Sequence, residues 1–234
     1  MKKIVLCHFY NEEWILPWWL EHHKRIFDHG IMIDYDSTDR SADIIREHCP
    51  TWEIRKSNNP TFTPKEIDDE VMSIEREISP GEWVDRKQPV NAEYVWRICL
   101  NTTEFLYGNY DRLHNKKMNL TQYILPNYVF VDMEDSTKEP IHLFHDRPLH
   151  QQRHWGYFAP DHPEPNPTPN YSPLRLNRSI HNFPLQYPDH GRHYPFDMSD
   201  HMFDDLAIFY YGHAATCENS MKRKNQIQSR IPGI

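Results

Sequence analysis

What this chain lacks narrows its class before any motif is found. Its four cysteines, Cys7, Cys49, Cys99 and Cys217, stand far apart and form no Cys-x-x-Cys pair, so a disulfide frame and a zinc site give way to reduced core thiols in a cytoplasmic protein. Glycine is scarce, with 7 in 234 residues, and neither GxGxxG nor GxxxxGKS occurs, which leaves no dinucleotide fingerprint and no P-loop. The 16 histidines include no HExxH. No apolar run reaches the ~18 residues that cross a bilayer. The N-terminal apolar run ends at Asn11-Glu12-Glu13 and is too short for a signal peptide. Positive charge is not in excess either: a formal net charge of -8 argues against non-specific binding to nucleic acid or an anionic membrane.

What remains is a globular pattern, 38% apolar and 26% charged, in which strand-like and helix-like segments alternate. Residues 3–9, IVLCHF after two lysines, form a run of strand length closed by Tyr10-Asn11-Glu12-Glu13. Pro17 suits a first helical turn, and Leu16, Trp19, Leu20, His23, Ile26 and Phe27 share one helical face, where His23 reads as a satisfied core histidine. Strands are predicted at 31–34 and 52–55, a helix at 42–48 capped by Asp39 or Ser41, and a charged helix at 65–78. Two strand-helix units in succession predict parallel strands. Further strands are predicted at 94–100, 122–125, 128–131 and 207–211, a helix-poor patch at 109–113 and a polar helix at 221–230. Prolines crowd residues 159–173, APDHPEPNPTPNYSP, which reads as an extended surface loop or lid.

Polar clusters close three of the predicted strands: Asn11, Glu12 and Glu13; Asp34, Asp36 and Asp39; Thr103 and Glu104. In a parallel sheet the carboxyl ends share one rim, where ligands bind, so the clusters are expected to converge. Such a rim offers carboxylates to a metal or a proton, and helix N-termini near Glu12 and Ser41 to phosphates. Taken singly, each cluster is an ordinary strand-to-loop junction.

The segments HFYNEEWILPWWLEHH, GIMIDYDSTDRSADII and CLNTTEFL, in that order across residues 8–106, together resemble a family 2-like, nucleotide-sugar-dependent glycosyltransferase of the GT-A fold. The resemblance implies one α/β domain over 1–234, with a mostly parallel central sheet flanked by helices and a Pro-rich loop in the C-terminal part. Residues 1–135 would be the nucleotide-sugar-binding half and 136–234 the acceptor-side half. It implies sugar transfer from a nucleotide-diphosphate donor to an acceptor hydroxyl, in glycan or polysaccharide synthesis, with inversion favoured. By position, Asn11, Glu12, Asp34, Tyr35 and Asp36 would contact the nucleotide, with Tyr35 stacking on its base. Asn101 and Thr103 occupy the DxD places just before Glu104 and Phe105. A divalent cation, Mn²⁺ or Mg²⁺, is also implied, with Glu104 and His213 as its ligands here. Because both DxD aspartates are replaced, Arg178 and Arg192 are the alternative, as bidentate phosphate clamps.

Transfer requires stabilisation of the leaving diphosphate and a base for the acceptor hydroxyl. Candidates for the base are Asp132, Glu134 and Asp135, with Asp197 and Asp200 behind them; Trp155, Tyr157 and Phe158 are candidates to stack on an acceptor sugar. Two other classes stay open. One is a nucleotide-sugar-binding protein that has lost transfer activity; the other is a metal-dependent phosphohydrolase using Asp34, Asp36 and Glu104.

Overall fold

A computed structural model describes residues 2–59, 63–79, 95–114, 122–131, 143–153, 156–158, 178–187, 192, 205–213 and 218–228. The layout follows from the first strand, β1 (Lys2–Phe9), whose side chains divide between two cores: Val5, Cys7 and Phe9 enter one, Ile4 and Leu6 the other. A strand buried on both faces belongs in the interior of a parallel sheet. Helices α1 (Leu16–His23) and α2 (Ser41–His48) cover the first face with Trp18, Trp19, Leu20, Ile44 and Ile45. Helix α3 (Pro64–Glu77) covers the second with Ile67, Val71 and Ile74.

Strands β2 (His29–Asp34) and β3 (Glu53–Lys56) extend the sheet on one side of β1 and β4 (Val95–Cys99) on the other, all parallel. Beyond β4 the sheet continues antiparallel through β9 (Arg178–His181) to β6 (Gln122–Leu125), giving the six-stranded order β3-β2-β1-β4-β9-β6. A second sheet has the order β5-β10-β7-β8, formed by β5 (Glu104–Gly108), β10 (Leu206–His213), β7 (Asn127–Val131) and β8 (Gly156–Phe158). Its inner residues Phe105, Leu106, Leu206 and Ile208 join the same core as α1. This is an α/β arrangement with a central sheet flanked by helices, as the alternation predicts. No helix of the described residues is long and apolar enough to cross a membrane.

The structure departs from the sequence reading at several places. Strands β8 and β9 carry no sequence signal, because β8 has three residues and β9, RSIH, holds a single aliphatic residue although all four of its residues are buried. The patch at 109–113 contains a short helix, α4 (Asp111–His114), and Asn109 Oδ1 accepts the Asp111 amide just before it. At the start of α2, Asp39 Oδ1 accepts the Ser41 N–H at 2.9 Å, whereas the Ser41 hydroxyl turns to the Glu12 amide. Cys7, Cys49 and Cys99 are buried free thiols, and burial pushes the latter two up to about 11; Cys217 and the Pro-rich 159–173 stretch lie outside the described residues.

The strand order reverses between β1 and β4: the chain moves outward through β2 and β3 and returns to the opposite side of β1. That reversal is the topological switch point of an open parallel sheet, and ligands bind at the carboxyl ends of the strands that flank it.

Candidate functional site

Three loops meet at the switch point. Asn11, just past β1, has φ of 50°, a left-handed backbone that asparagine tolerates better than most residues. This conformation lets its side chain reach the loop after β2: Asn11 Oδ1 accepts the Thr38 N–H at 2.7 Å and the Asp39 N–H at 3.3 Å, and the Asn11 amide donates to Ser37 Oγ at 3.1 Å. The Glu13 amide donates to Asp39 Oδ2, and the Arg40 amide to Glu13 Oε2. The Ser-Thr-Asp-x-Ser segment is therefore a clasp between the β1 and β2 rims, held mainly through backbone amides.

The third loop is the turn at 101–104 between β4 and β5. The Glu104 amide donates to Asn101 O at 3.0 Å, and the Glu104 carboxylate reaches back to accept the Asn101 amide at 2.8 Å. Trp19 Nε1, from α1, donates to both Asn101 O and Glu104 O. Glu104 is 2% exposed, and Arg178 of β9 binds it bidentately, Nε to Oε2 at 2.9 Å and Nη2 to Oε1 at 2.8 Å.

Arg192, itself 4% exposed, ties this turn to β1 and α3. Its Nη1 donates to Asp68 Oδ1 of α3 at 2.6 Å, and its Nη2 lies 3.2 Å from Asn101 Oδ1 and 3.3 Å from His8 Nδ1. Burial, then the charges of Arg192 and Arg178, hold His8 well below the usual histidine range, so the ring stays neutral and accepts at Nδ1. Glu12 forms a further buried pair with Arg223 of α5 (Glu218–Gln228) and is hydrogen-bonded to Thr102. Burial pushes its carboxyl up against the opposing pull of Arg223.

Of the residues singled out from the sequence, the structure gathers Asn11, Glu12, Asn101, Thr103, Glu104, Arg178 and Arg192 around one rim. Others it places elsewhere. The Tyr35 ring is 1% exposed, and its hydroxyl donates to Glu70 Oε2 at 3.0 Å, so no face is left to stack on a base. Asp34 Oδ1 accepts the Ser37 amide, and Asp36 pairs with Lys56 at the surface. Arg178 turns inward to Glu104 instead of outward as a phosphate clamp. His213 ends β10, with its side chain outside the described residues, as are Asp132, Glu134, Asp135, Trp155, Asp197 and Asp200. Tyr157 and Phe158 fall in β8, in the second sheet. His23 is the core histidine expected: Nδ1 donates to Trp19 O and Nε2 accepts the Leu106 amide.

Sequence reasoning missed His8, Asp68, Thr102 and Arg223. For Asp68 a signal existed: with Glu75, seven residues on, it lies on the buried face of α3 beside Val71 and Met72. Arg223 sits in the polar helix expected at 221–230, and nothing local marks it.

Among the described residues, the donors at this turn do not fit the implied divalent cation. Asn101 and Thr103 are neutral, both Glu104 oxygens are held by Arg178, and no group of three or more His, Cys, Asp or Glu among the described residues is arranged to hold a metal.

No family profile matches the sequence, and no curated protein does. Among solved structures, the chain is similar to S. aureus TarS 1–349 at 13% identity and a TM-score of 0.33, over 61% of this chain and 39% of that one. The same TarS fragment in complex with UDP-GlcNAc aligns at 14% identity and a TM-score of 0.30, over 61% of this chain and 37% of that one. HddC from Yersinia pseudotuberculosis aligns at 11% identity and a TM-score of 0.37, over 97% of this chain and 99% of that one. The chain thus spans well under half of the TarS fragment, and similarities at this level carry no functional conclusion.

Proposed function

We propose that this chain is a glycosyltransferase that moves a sugar from a nucleotide-diphosphate donor to an acceptor hydroxyl. The observation that carries the reading is the switch point between β1 and β4, where the three segments resembling a GT-A transferase, around Asn11, residues 37–41 and residues 101–104, meet on one rim. The clasp between the rims preorganises that edge, so a donor would meet a surface already ordered. The acceptor base is assigned to Asp132, Glu134 or Asp135, which follow β7 in the sequence. A second reading, binding without transfer, is favoured by the capture of Glu104 by Arg178. A phosphohydrolase built on Asp34, Asp36 and Glu104 is not supported, because these carboxylates have separate partners.

The test is a thermal-shift screen against UDP, GDP, CDP and dTDP, then against the sugar nucleotides of whichever diphosphate binds. A ligand at a hundred times its Kd adds ~2.7 kcal/mol of stability. Stabilisation by one diphosphate supports the reading; none at millimolar concentration overturns it. Binding of a sugar nucleotide without release of diphosphate to any acceptor would favour the second reading.

A further inference from the structure

The turn after β4 stands where the resembled enzymes place their metal ligands, and its side-chain oxygens are already bound. Glu104 Oε2 accepts from Arg178 Nε at 2.9 Å and from the Asn101 amide at 2.8 Å; Oε1 accepts from Arg178 Nη2 at 2.8 Å and from Asn101 Nδ2 at 3.4 Å. Asn101 Oδ1 faces Arg192 Nη2 at 3.2 Å. Thr102 is hydrogen-bonded to Glu12, and Thr103 to Tyr210.

A hard dication takes about six or more oxygen ligands and favours charged ones. This turn offers one carboxylate, and a fixed guanidinium covers both of its oxygens. A dication entering here would also face the positive charges of Arg178 and Arg192 in a buried setting, where like-charge repulsion is weakly screened. We propose that the Arg178 guanidinium, locked on Glu104, keeps a divalent cation out of this turn, so that this chain binds a nucleoside diphosphate without metal. The proposal rests on the nucleotide-sugar reading above, and the experiment separates the two.

Isothermal titration of the purified chain with the stabilising diphosphate is run in EDTA and in Mn²⁺, with Mn²⁺ alone as a third arm. Equal affinity in EDTA and Mn²⁺, within about two-fold, is expected. Affinity more than about tenfold tighter with Mn²⁺ overturns the proposal while leaving the nucleotide-sugar reading intact. If no diphosphate binds, the nucleotide-sugar reading falls, and the Mn²⁺ arm still decides the metal question. Tight stoichiometric Mn²⁺ binding lost in Glu104→Gln, or in the milder Asn101→Ala, refutes the proposal. No such binding, or binding that both variants retain, upholds the exclusion of metal from this turn.

Discussion

Replacing Glu104 by Gln tests the buried pair at the centre of the rim. The substitution keeps the shape of the side chain but removes its charge, and it sets an amide NH₂ against one of the two guanidinium N–H groups that the carboxylate accepts. Arg178, with a side chain 2% exposed, is then a buried cation without this counterion. Removing one partner of a buried ion pair costs ~3–5 kcal/mol. For a chain of this size each kcal/mol lowers Tm by ~2–4 °C, so the loss is expected to be about 6–20 °C. Urea unfolding should show a lower midpoint with an unchanged m-value. The paired exchange Glu104→Leu with Arg178→Met removes both charges and is expected to cost less than either single change, since apolar replacement of a buried pair is often close to neutral. A cost below ~1 kcal/mol for Glu104→Gln, the level of a surface pair, would refute the reasoning.

Three other outcomes follow from the same contacts. Burial holds His23 and His8 well below the usual histidine range and His22 at about 4. These groups are neutral when folded and take protons when unfolded, so stability present above pH ~6.5 should fall as pH drops, by up to ~1.4 kcal/mol per pH unit for each histidine; Glu12, pushed up, opposes them with one proton, and urea midpoints that stay flat between neutral and mildly acidic pH would contradict this. Asn11→Ala loses the bonds to Thr38 and Asp39 and puts a Cβ residue without local bonding at φ 50°, a cost of ~2 kcal/mol, and Asn11→Gly should be the milder change by urea unfolding. Gly30→Ala would place a Cβ 2.1 Å from the Trp52 ring, and overpacking of this kind costs ~1–3 kcal/mol, measurable as a lower Tm with weakened near-UV dichroism.

The sheet was legible because parallel strands buried on both faces appear as short apolar runs, and IVLCHF and GIMI are such runs. The meeting of the loops after β1, β2 and β4 was legible for the same reason, since it follows from strand direction, although Asp34 and Asp36 turn to Ser37 and Lys56. The pairings were not. Glu104 and Arg178 are 74 residues apart, Asp68 and Arg192 124, and Glu12 and Arg223 211. Spacing along the chain reports which residues share a face, not which distant segment returns to meet them.

These three pairs share a direction that bears on how the chain is divided. Each acid belongs to residues 1–135 and each arginine to residues 136–234, so the second part supplies the countercharges of these three buried acids. Buried carboxylates without such partners would have to stay protonated or draw in water, each at a cost of several kcal/mol. The rim at the switch point is therefore not a property of residues 1–135 alone. Its charge balance is set by Arg178, Arg192 and Arg223, which come from a stretch whose sequence reads as acceptor-side loops and a polar tail.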